Sequence, residues 1–412
     1  MNEHALREQL IETALAAELH NLVRLPGEFH AANPERRGEM AAWIVQCLLA
    51  RSRHGERAVL DFWDDRTRLP SPPRRRDKPR VGLLSPTLLM GGAERWIVDL
   101  ACHLDHSRLD VVGIGVHTWQ GGGPLLRRAV QTTAVMFHEK GCQYLACNVD
   151  ALICWGVAGV PDGSPKCSIY VSHGASPCAE RWGEVMAKKP VKLAAVSRWA
   201  ARAFPPGSDV AVIHNGVDPT RCVPQQPREK VRAQWGLKPG EIAIGHVGRL
   251  GFDKNPAAAA MAASALGKGY RAVYVGTGLP EHVRMLRHLR PEPIIRPYVE
   301  HIGDVFAALD CFVLASPSEG FSLALTEAWI SGCPTVATRV GAIPELEERF
   351  GQLTQHVPVS PSGAELAEAV KRALSPENRH LVAHAQSVAR KHFTVEMMGK
   401  RWTDYILKTL NE

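Results

Sequence analysis

The sequence predicts an α/β protein with two doubly wound parallel sheets, preceded by a helical extension. Short apolar runs such as residues 81–84 are continuous rather than alternating, which is typical of parallel strands covered on both faces. Helical stretches follow these runs, and the strand-then-helix order occurs on both sides of a proline break at residues 203–208. A chain of 412 residues is also longer than one ordinary core supports, so two domains are expected.

The composition is that of a globular protein. Hydrophobic residues make up 45% of the chain and charged residues 22%, and no apolar run is long enough to span a bilayer. The N-terminal residues lack the apolar core of a signal peptide. The ten cysteines contain no CxxC pair, which favours reduced thiols over a disulfide framework. We therefore expect a cytoplasmic protein, with peripheral attachment to a membrane surface as an alternative.

Residues 1–78 are predicted to form a helical extension and a linker. Apolar residues recur every three or four positions over most of this part, and Asn33 with Pro34 suits a helix N-cap followed by the first helical position. Residues 69–80 contain four prolines, which prevent a helix. Much of the net charge of +7 lies at residues 51–80. This basic cluster is either a solvated charge run or a contact for a polyanion.

The first predicted domain covers residues 79–205. Its strands are predicted at residues 81–84, 111–116, 151–155, 166–171 and 193–196. Gly91 and Gly92 stand between the first strand and the helix that follows it. A glycine turn at the start of a helix directs backbone N–H groups and the positive end of the helix dipole towards one point, where an anion can bind.

The second predicted domain covers residues 206–389, and residues 390–412 are predicted to be a helix that packs back on the first domain. Strands are predicted at residues 242–247, 271–275, 311–315 and 335–337, and the chain is helical from about residue 363. Ligands of doubly wound sheets bind beyond the carboxyl ends of the strands. The main candidate stretch is residues 315–345, where Glu319 and Glu327 flank a turn of small residues and the start of a short helix.

Seven blocks of sequence occur in an order that points to a known family. They are GGAER at 91–95, VSHG at 171–174, AVS at 195–197, IHNGVD at 213–218, HVGRLGFDKNP at 246–256, YVGTG at 274–278 and SPSEGFSLALTEAWISGCPTVAT at 316–338. Together they resemble family 4 of the retaining glycosyltransferases, over roughly residues 80–345. The resemblance implies the GT-B fold, in which two Rossmann-like domains face each other across a cleft. It also implies transfer of a sugar from a nucleotide-diphosphate sugar (NDP-sugar) to an acceptor hydroxyl, with retained configuration and with no metal ion or other cofactor.

The resemblance assigns four residues to catalysis, namely His173, Arg249, Lys254 and Glu319. Arg249 and Lys254 would bind the diphosphate, where cations favour the transition state because the leaving oxygen gains negative charge. Glu319 would contact hydroxyls of the donor sugar, and His173 would lie near the reacting end of the sugar and the acceptor. No enzymic nucleophile is implied, since a front-face attack is the usual proposal for this class, with the leaving phosphate oxygen helping to deprotonate the acceptor.

The other residues that the resemblance assigns bind the donor. Glu327 would accept from the ribose hydroxyls, and the nucleotide base would lie near residues 297–299. Gly276 and Gly278 would either let the backbone approach the diphosphate or simply turn the chain. The N–H groups at the start of the short helix suit phosphate or sugar oxygens. The full donor-binding set is Gly91, Gly92, Gly276, Gly278, Tyr298, Val299, Gly320, Phe321, Ser322, Leu323 and Glu327.

Several alternatives stay open at this stage. The donor would be UDP- or GDP-linked, and the acceptor would be a small metabolite, a glycan, a lipid-linked sugar, a protein or a modified nucleic acid. The second hypothesis is a catalytically silent GT-B binding subunit. The presence of all four site residues argues against it, namely Arg249, Lys254, Glu319 and Glu327. The third hypothesis is an epimerase. A zinc site at His138 and the cysteines that follow it is disfavoured, because their spacing provides no CxxC pair and suits buried thiols.

Overall fold

The computed structural model describes residues 78–89, 91–117, 124–156, 160–161, 163–299 and 301–412. The predicted helical extension and most of the predicted basic cluster lie outside the described residues. The chain divides into two compact units. Of the described residues, unit 1 contains those up to Val171, together with Val185–Leu193 and Trp402–Glu412, and unit 2 contains Ser172–Glu184 and Ala194–Arg401.

The first sheet has seven strands among the described residues. They are β1 (Arg80–Ser85), β2 (Asp110–Val116), β3 (Ala134–Phe137), β4 (Ala151–Trp155), β5 (Cys167–Ser172), β6 (Lys192–Ala195) and β7 (Val210–Val212). Their spatial order is β3-β2-β1-β4-β5-β6-β7, and β1 pairs in parallel with both β2 and β4. The first six strands thus follow the order of a doubly wound sheet, with the chain reversing its direction of growth between β1 and β4.

The second sheet repeats this arrangement with six parallel strands. They are β8 (Ile242–Val247), β9 (Tyr270–Val275), β10 (Ile294–Arg296), β11 (Cys311–Leu314), β12 (Thr335–Thr338) and β13 (Gln355–Val357). Their order is β10-β9-β8-β11-β12-β13, so the reversal falls between β8 and β11, which pair in parallel. A ligand site is expected at the carboxyl ends of these two strands. The predicted fold of two doubly wound parallel sheets is confirmed.

The helices in the described residues mostly connect one strand to the next, and the last three follow β13. They are α1 (Gly92–His103), α2 (Pro124–Thr132), α3 (His138–Cys147), α4 (Pro177–Ala187), α5 (Arg198–Ala201), α6 (Arg228–Trp235), α7 (Ala257–Leu266), α8 (Pro280–Arg287), α9 (Ile302–Ala308), α10 (Leu323–Ser331), α11 (Ile343–Phe350), α12 (Gly363–Leu374), α13 (Arg379–His392) and α14 (Val395–Leu410). Helix α7 presents alanines that are fully buried, such as Ala262 and Ala263, to the core of the second sheet. Small side chains let a helix approach a sheet closely, which explains the alanine-rich sequence.

The end of α14 is part of unit 1. The indole rings of Trp96 and Trp402 meet edge to face with their centroids 5.7 Å apart, and both side chains are almost fully buried. The backbone N–H of Asp105 donates to the Thr403 hydroxyl over 3.0 Å, and Arg108 forms an ion pair with Asp404. Burial of the two indoles contributes most to holding the end of α14 in unit 1, because each large apolar side chain contributes about 1.5–3 kcal/mol when it is buried.

The strands predicted from sequence all correspond to strands of the structure. The strands that the sequence patterns do not predict are β3, β7, β10 and β13, and these four form the edges of the two sheets. The predicted domain boundaries at residues 79, 206 and 390 stay predictions.

Candidate active site

The candidate turn lies between β11 and α10 in unit 2. Ser322 is the N-cap of α10, where its side chain accepts a hydrogen bond from the Leu325 N–H over 3.3 Å. This bond uses one lone pair of the hydroxyl, so its proton and the backbone of the turn, including Leu323, can still meet a ligand. Phe321 is buried, and its ring lies 5.6 Å from that of Phe393 and 5.7 Å from that of His214. The phenyl ring therefore anchors the turn by packing, which the sequence did not indicate.

Gly320 brings three of the sequence blocks together. A Cβ at this position would lie 1.8 Å from the carbonyl oxygen of His173, so only glycine fits. The Ser197 hydroxyl donates to the Gly320 carbonyl over 3.0 Å. The VSHG and AVS blocks thus hold the backbone of the EGFS turn from two sides. The predicted site residues His173 and Gly320 are neighbours, through main-chain packing rather than through side chains.

Lys254 and Glu319 form a direct ion pair. The Lys254 ammonium donates to Glu319 Oε1 over 2.8 Å, and the two side chains are 26% and 9% exposed. Lys254 ends a short 3-10 turn after β8, and Asn255, which has a positive φ of 45°, donates from its side chain to the Ala315 carbonyl over 3.3 Å. This hydrogen bond ties the loop after β8 to the end of β11. The structure therefore places both predicted catalytic residues where the second sheet reverses.

Arg249 lies on the same loop and is far more exposed. Its guanidinium contacts the Asp253 carboxylate at 2.7 Å, and the side chains are 64% and 53% exposed. Such a solvent-exposed pair contributes little, because water and salt screen it. Little free energy is therefore lost when the contact between Arg249 and Asp253 breaks.

The predicted glycines Gly276 and Gly278 follow β9 and pack against the loop after β8. Gly276 has a φ of 153°, and a Cβ there would lie 1.8 Å from the Gly248 carbonyl oxygen. The backbone N–H of Leu250 donates to the Thr277 carbonyl over 2.8 Å. This packing fixes the loop that carries Arg249 and Lys254. Whether Gly276 and Gly278 let the backbone approach a diphosphate or only turn the chain stays a prediction.

Glu327 is buried in α10 and pairs with Arg221. Arg221 Nη1 donates to Glu327 Oε1 over 3.0 Å, and each side chain is 9% exposed. Sequence reasoning did not single out Arg221. Its only signal is its position three residues beyond the IHNGVD block, and a single arginine in a turn carries no specific prediction.

The remaining predicted donor residues lie at separate places. Gly91 and Gly92 are in unit 1, where Gly91 is the N-cap of α1 and the Glu94 carboxylate lies directly against it, so that a Cβ on Gly91 would stand 2.1 Å from Glu94 Oε2. An anion at this turn would therefore have to displace Glu94. Tyr298 and Val299 are half-buried and follow the end of β10 in unit 2.

Burial keeps the imidazole of His173 neutral. Desolvation lowers the pKa of His173 from 6.5 to about 3. The ring is therefore uncharged at neutral pH and is a weak base. It can exchange hydrogen bonds with sugar or acceptor hydroxyls without adding a charge.

The imidazole of His246, a buried residue of β8, has its Nε2 atom 3.4 Å from the carbonyl oxygen of Arg249. Desolvation lowers its pKa from 6.5 to about 4, with a smaller contribution from the charge of Lys254 in the same direction. Between pH 4 and 6.5 the unfolded chain consequently binds more protons at this position than the folded chain does. The free energy of unfolding therefore falls as the pH falls through this window.

Replacing His246 with glutamine is expected to weaken this acid sensitivity. The urea midpoint of the wild type should fall between pH 7 and pH 5, and that of His246→Gln should fall less, because the titrating group is gone. His288→Gln, at an exposed histidine of the same unit, is the control and should retain the wild-type fall. Equal falls in the wild type and His246→Gln would contradict the expectation.

The described part of the chain contains no helix that is both long and apolar enough to cross a membrane. It also contains no group of three or more His, Cys, Asp or Glu side chains arranged to hold a metal ion.

Comparison with known proteins agrees with the architecture. Residues 241–376 match the family described as glycosyl transferases group 1. The crystal structure of Anabaena Alr3699/HepE in complex with UDP and glucose superimposes with a TM-score of 0.66 and 19% identity, covering 80% of this chain and 100% of that one. At this level of identity, the similarity is one of fold.

Curated relatives match in part of their length. The D-inositol 3-phosphate glycosyltransferase of Rhodococcus erythropolis is 34% identical over 150 residues, which are 32% of this chain and 34% of the relative. The GDP-mannose-dependent alpha-mannosyltransferase of Mycobacterium tuberculosis is 29% identical over 192 residues, which are 45% of this chain and 48% of the relative. The chain thus spans half or less of the length of these two relatives.

Two doubly wound parallel sheets, each with its own switch point, are the architecture of the GT-B fold, which the superposition also shows. The match to the family described as glycosyl transferases group 1 lies in residues 241–376, which include the second sheet and most of its helices. The resemblance read from the sequence blocks is confirmed.

Proposed function

We propose that this chain is a metal-independent retaining glycosyltransferase that transfers a sugar from a UDP- or GDP-linked donor to an acceptor hydroxyl. The observation that carries the proposal is the contact between Lys254 and Glu319 at the switch point of the second sheet, with Arg249 on the same loop as Lys254. One small region thus combines a carboxylate suited to sugar hydroxyls with cations suited to a diphosphate.

The charges of this region are balanced. Two carboxylates beside a diphosphate would repel it, because all of these groups are negatively charged. The diphosphate also has no hydrogen-bond donor at neutral pH, whereas a sugar hydroxyl has one. Glu319 is paired with Lys254, and Glu327 is paired with Arg221. Each of the two carboxylates thus has a cation from a different element, and Arg249, whose exposed contact with Asp253 is weak, can turn to the incoming phosphates.

The proposed reaction proceeds on one face of the sugar. The acceptor oxygen bonds to the anomeric carbon on the side from which the phosphate oxygen departs, and the acceptor proton passes to that phosphate oxygen. The configuration is thereby retained without a covalent enzyme intermediate. Lys254 has three N–H donors, so it can hold Glu319 and a phosphate oxygen at the same time. Its charge and that of Arg249 stabilise the negative charge that develops on the leaving group.

The relatives support a nucleotide-linked donor. One is named as dependent on GDP-mannose, and the Anabaena protein of similar fold was crystallised with UDP and glucose. We infer that a nucleoside diphosphate binds to unit 2 at the loops after β8 and β11.

Thermal unfolding with a panel of nucleotides tests donor binding. We expect UDP or GDP, and one or more of their sugar conjugates, to raise the melting temperature of the full chain. A ligand at a hundredfold its dissociation constant stabilises the folded state by about 2.7 kcal/mol, which such a measurement detects easily. Adenosine diphosphate serves as the comparison for non-specific phosphate binding. No stabilisation by any uridine or guanosine diphosphate would contradict the proposal.

Turnover and stereochemistry test the reaction itself. With the donor so identified, we expect hydrolysis or transfer that persists in EDTA and gives a product with the anomeric configuration of the donor, as read by NMR. Binding without turnover for every acceptor class tried would favour a silent binding subunit. An inverted product would overturn the retaining mechanism, loss of activity in EDTA would overturn metal independence, and release of an epimerised sugar nucleotide would indicate an epimerase.

A further inference from the structure

Arg221 and Glu327 form an ion pair in which both charges are buried, and the donor site alone does not explain the burial of Arg221. Its two side chains are equally buried, at 9% exposure each, and they come from positions 106 residues apart in the sequence. Removing two charges from water costs several kcal/mol per ion, and their attraction often does no more than offset this cost. A buried pair of this kind is therefore poor evidence for a purely stabilising role.

The turn that carries Arg221 is fixed at both ends. Residues Pro219–Cys222 form a 3-10 turn, and Asp218 caps it by accepting from the Thr220 N–H over 2.9 Å. At the other end, the Ser331 hydroxyl at the end of α10 donates to the Cys222 carbonyl over 3.4 Å. The turn is thus attached to the helix that carries Glu327. The guanidinium therefore approaches the carboxylate from a rigid base.

The geometry leaves part of the Glu327 carboxylate for another donor. Arg221 Nη1 occupies Oε1, and a carboxylate has about four acceptor positions on its two oxygens. One charge-assisted hydrogen bond from a fixed guanidinium restricts the rotation of the carboxylate plane. It also cancels the negative charge that would otherwise face an incoming diphosphate. Both effects favour recognition of neutral hydroxyls by Glu327.

We propose that Arg221 is a positioning residue of the donor site, which holds the Glu327 carboxylate ready to accept from the ribose hydroxyls of a nucleoside diphosphate. This inference rests on the proposed function. The loop that begins with the IHNGVD block then contributes to donor specificity. Selection for ribose depends on Arg221, although Arg221 does not itself contact the nucleotide.

Ribose discrimination is the readout that a merely structural role would not change. The dissociation constants of UDP and 2′,3′-dideoxy-UDP are measured by calorimetry for the full chain, together with those of GDP and 2′,3′-dideoxy-GDP. The wild type should favour the ribose form of its preferred nucleotide by about tenfold to a hundredfold, the range expected for hydrogen bonds to a charged group. Arg221→Met should bring this ratio close to one, and Arg221→Lys should restore part of it.

A double variant keeps the test valid where Arg221→Met fails to fold. Loss of Arg221 alone leaves a buried carboxylate without its counter-ion, which is strongly destabilising, whereas removal of both charges is often tolerated. Arg221→Met/Glu327→Gln should therefore melt closer to the wild type than Arg221→Met does, and yet lack the ribose preference. A double variant or an Arg221→Met variant with the wild-type ratio would overturn the proposal.

A matched control removes an arginine from another ion pair of unit 2. Arg232 contacts Asp310 over 3.0 Å with a side chain that is 13% exposed. Arg232→Met should lower the melting temperature and leave the ribose ratio unchanged. A wild type that binds neither UDP nor GDP would overturn both this inference and the proposed function. A wild type that binds and turns over a donor without ribose preference would overturn this inference alone.

Discussion

Replacing Lys254 with methionine is expected to lower kcat by about two to three orders of magnitude, with the fold retained. Methionine keeps the length of the side chain and removes the ammonium that contacts Glu319 Oε1 at 2.8 Å. The leaving phosphate then loses a cation as its charge develops, and the Glu319 carboxylate, only 9% exposed, faces the diphosphate without that counter-charge. Steady-state kinetics, with the donor that stabilises the wild type, measure kcat. Circular dichroism measures whether the fold is retained.

The double variant Lys254→Met/Glu319→Gln separates the two effects. If the ion pair balances the charge of the site, removing both charges should weaken donor binding less than Lys254→Met alone, although kcat should stay low. Lys371→Met is the matched control, because Lys371 also pairs with a glutamate, Glu368, but on the surface, at 59% and 62% exposure. Activity of Lys254→Met within about twofold of the control would refute the role of Lys254 in transition-state stabilisation.

Replacing Gly320 with alanine is expected to abolish most of the activity and to destabilise unit 2. The added Cβ would lie 1.8 Å from the His173 carbonyl oxygen and 2.8 Å from its carbon, and both are backbone atoms that cannot rotate away. The turn must shift, and with it Glu319 and Phe321 on either side. Overpacking of this kind costs about 1–3 kcal/mol, and a displacement near 1 Å at a reacting centre lowers the rate about a hundredfold.

Gly174→Ala is the neighbouring control for this prediction. A Cβ on Gly174 would have no atom beyond its chain neighbours within 4 Å, so the urea midpoint of this variant should equal that of the wild type. Urea unfolding and kcat/KM are measured for both variants. Wild-type values for Gly320→Ala would show that the turn tolerates displacement and that its close packing on His173 is not required.

The interior strands could be predicted because they are covered on both faces. β1 and β5 are buried at every position, and a continuous apolar run is the direct consequence of that environment. The edge strands β7, β10 and β13 have three residues each, most of them only partly buried. A short run with one covered face and one neighbouring strand leaves too weak a pattern to recognise.

The site could be predicted as a set of residues but not as a set of contacts. The blocks around Lys254 and Glu319 are specific in sequence, whereas their ion pair joins positions 65 residues apart, which no local pattern reveals. Gly320 is visible as a glycine, but the His173 backbone that requires it becomes apparent only when the chain is folded. The only local signal of Arg221 is its position three residues beyond the IHNGVD block, because its role depends on the turn that brings it to Glu327.

By itself, the sequence determined the two doubly wound sheets, because buried parallel strands leave local patterns. Its seven blocks carried the resemblance that implies the family and the four residues expected in catalysis. The tertiary structure decided which charges neutralise each other. It pairs Lys254 with Glu319 and Arg221 with Glu327, and it leaves Arg249 exposed. Electrostatic interactions depend on distance and burial, and both are properties of the folded chain.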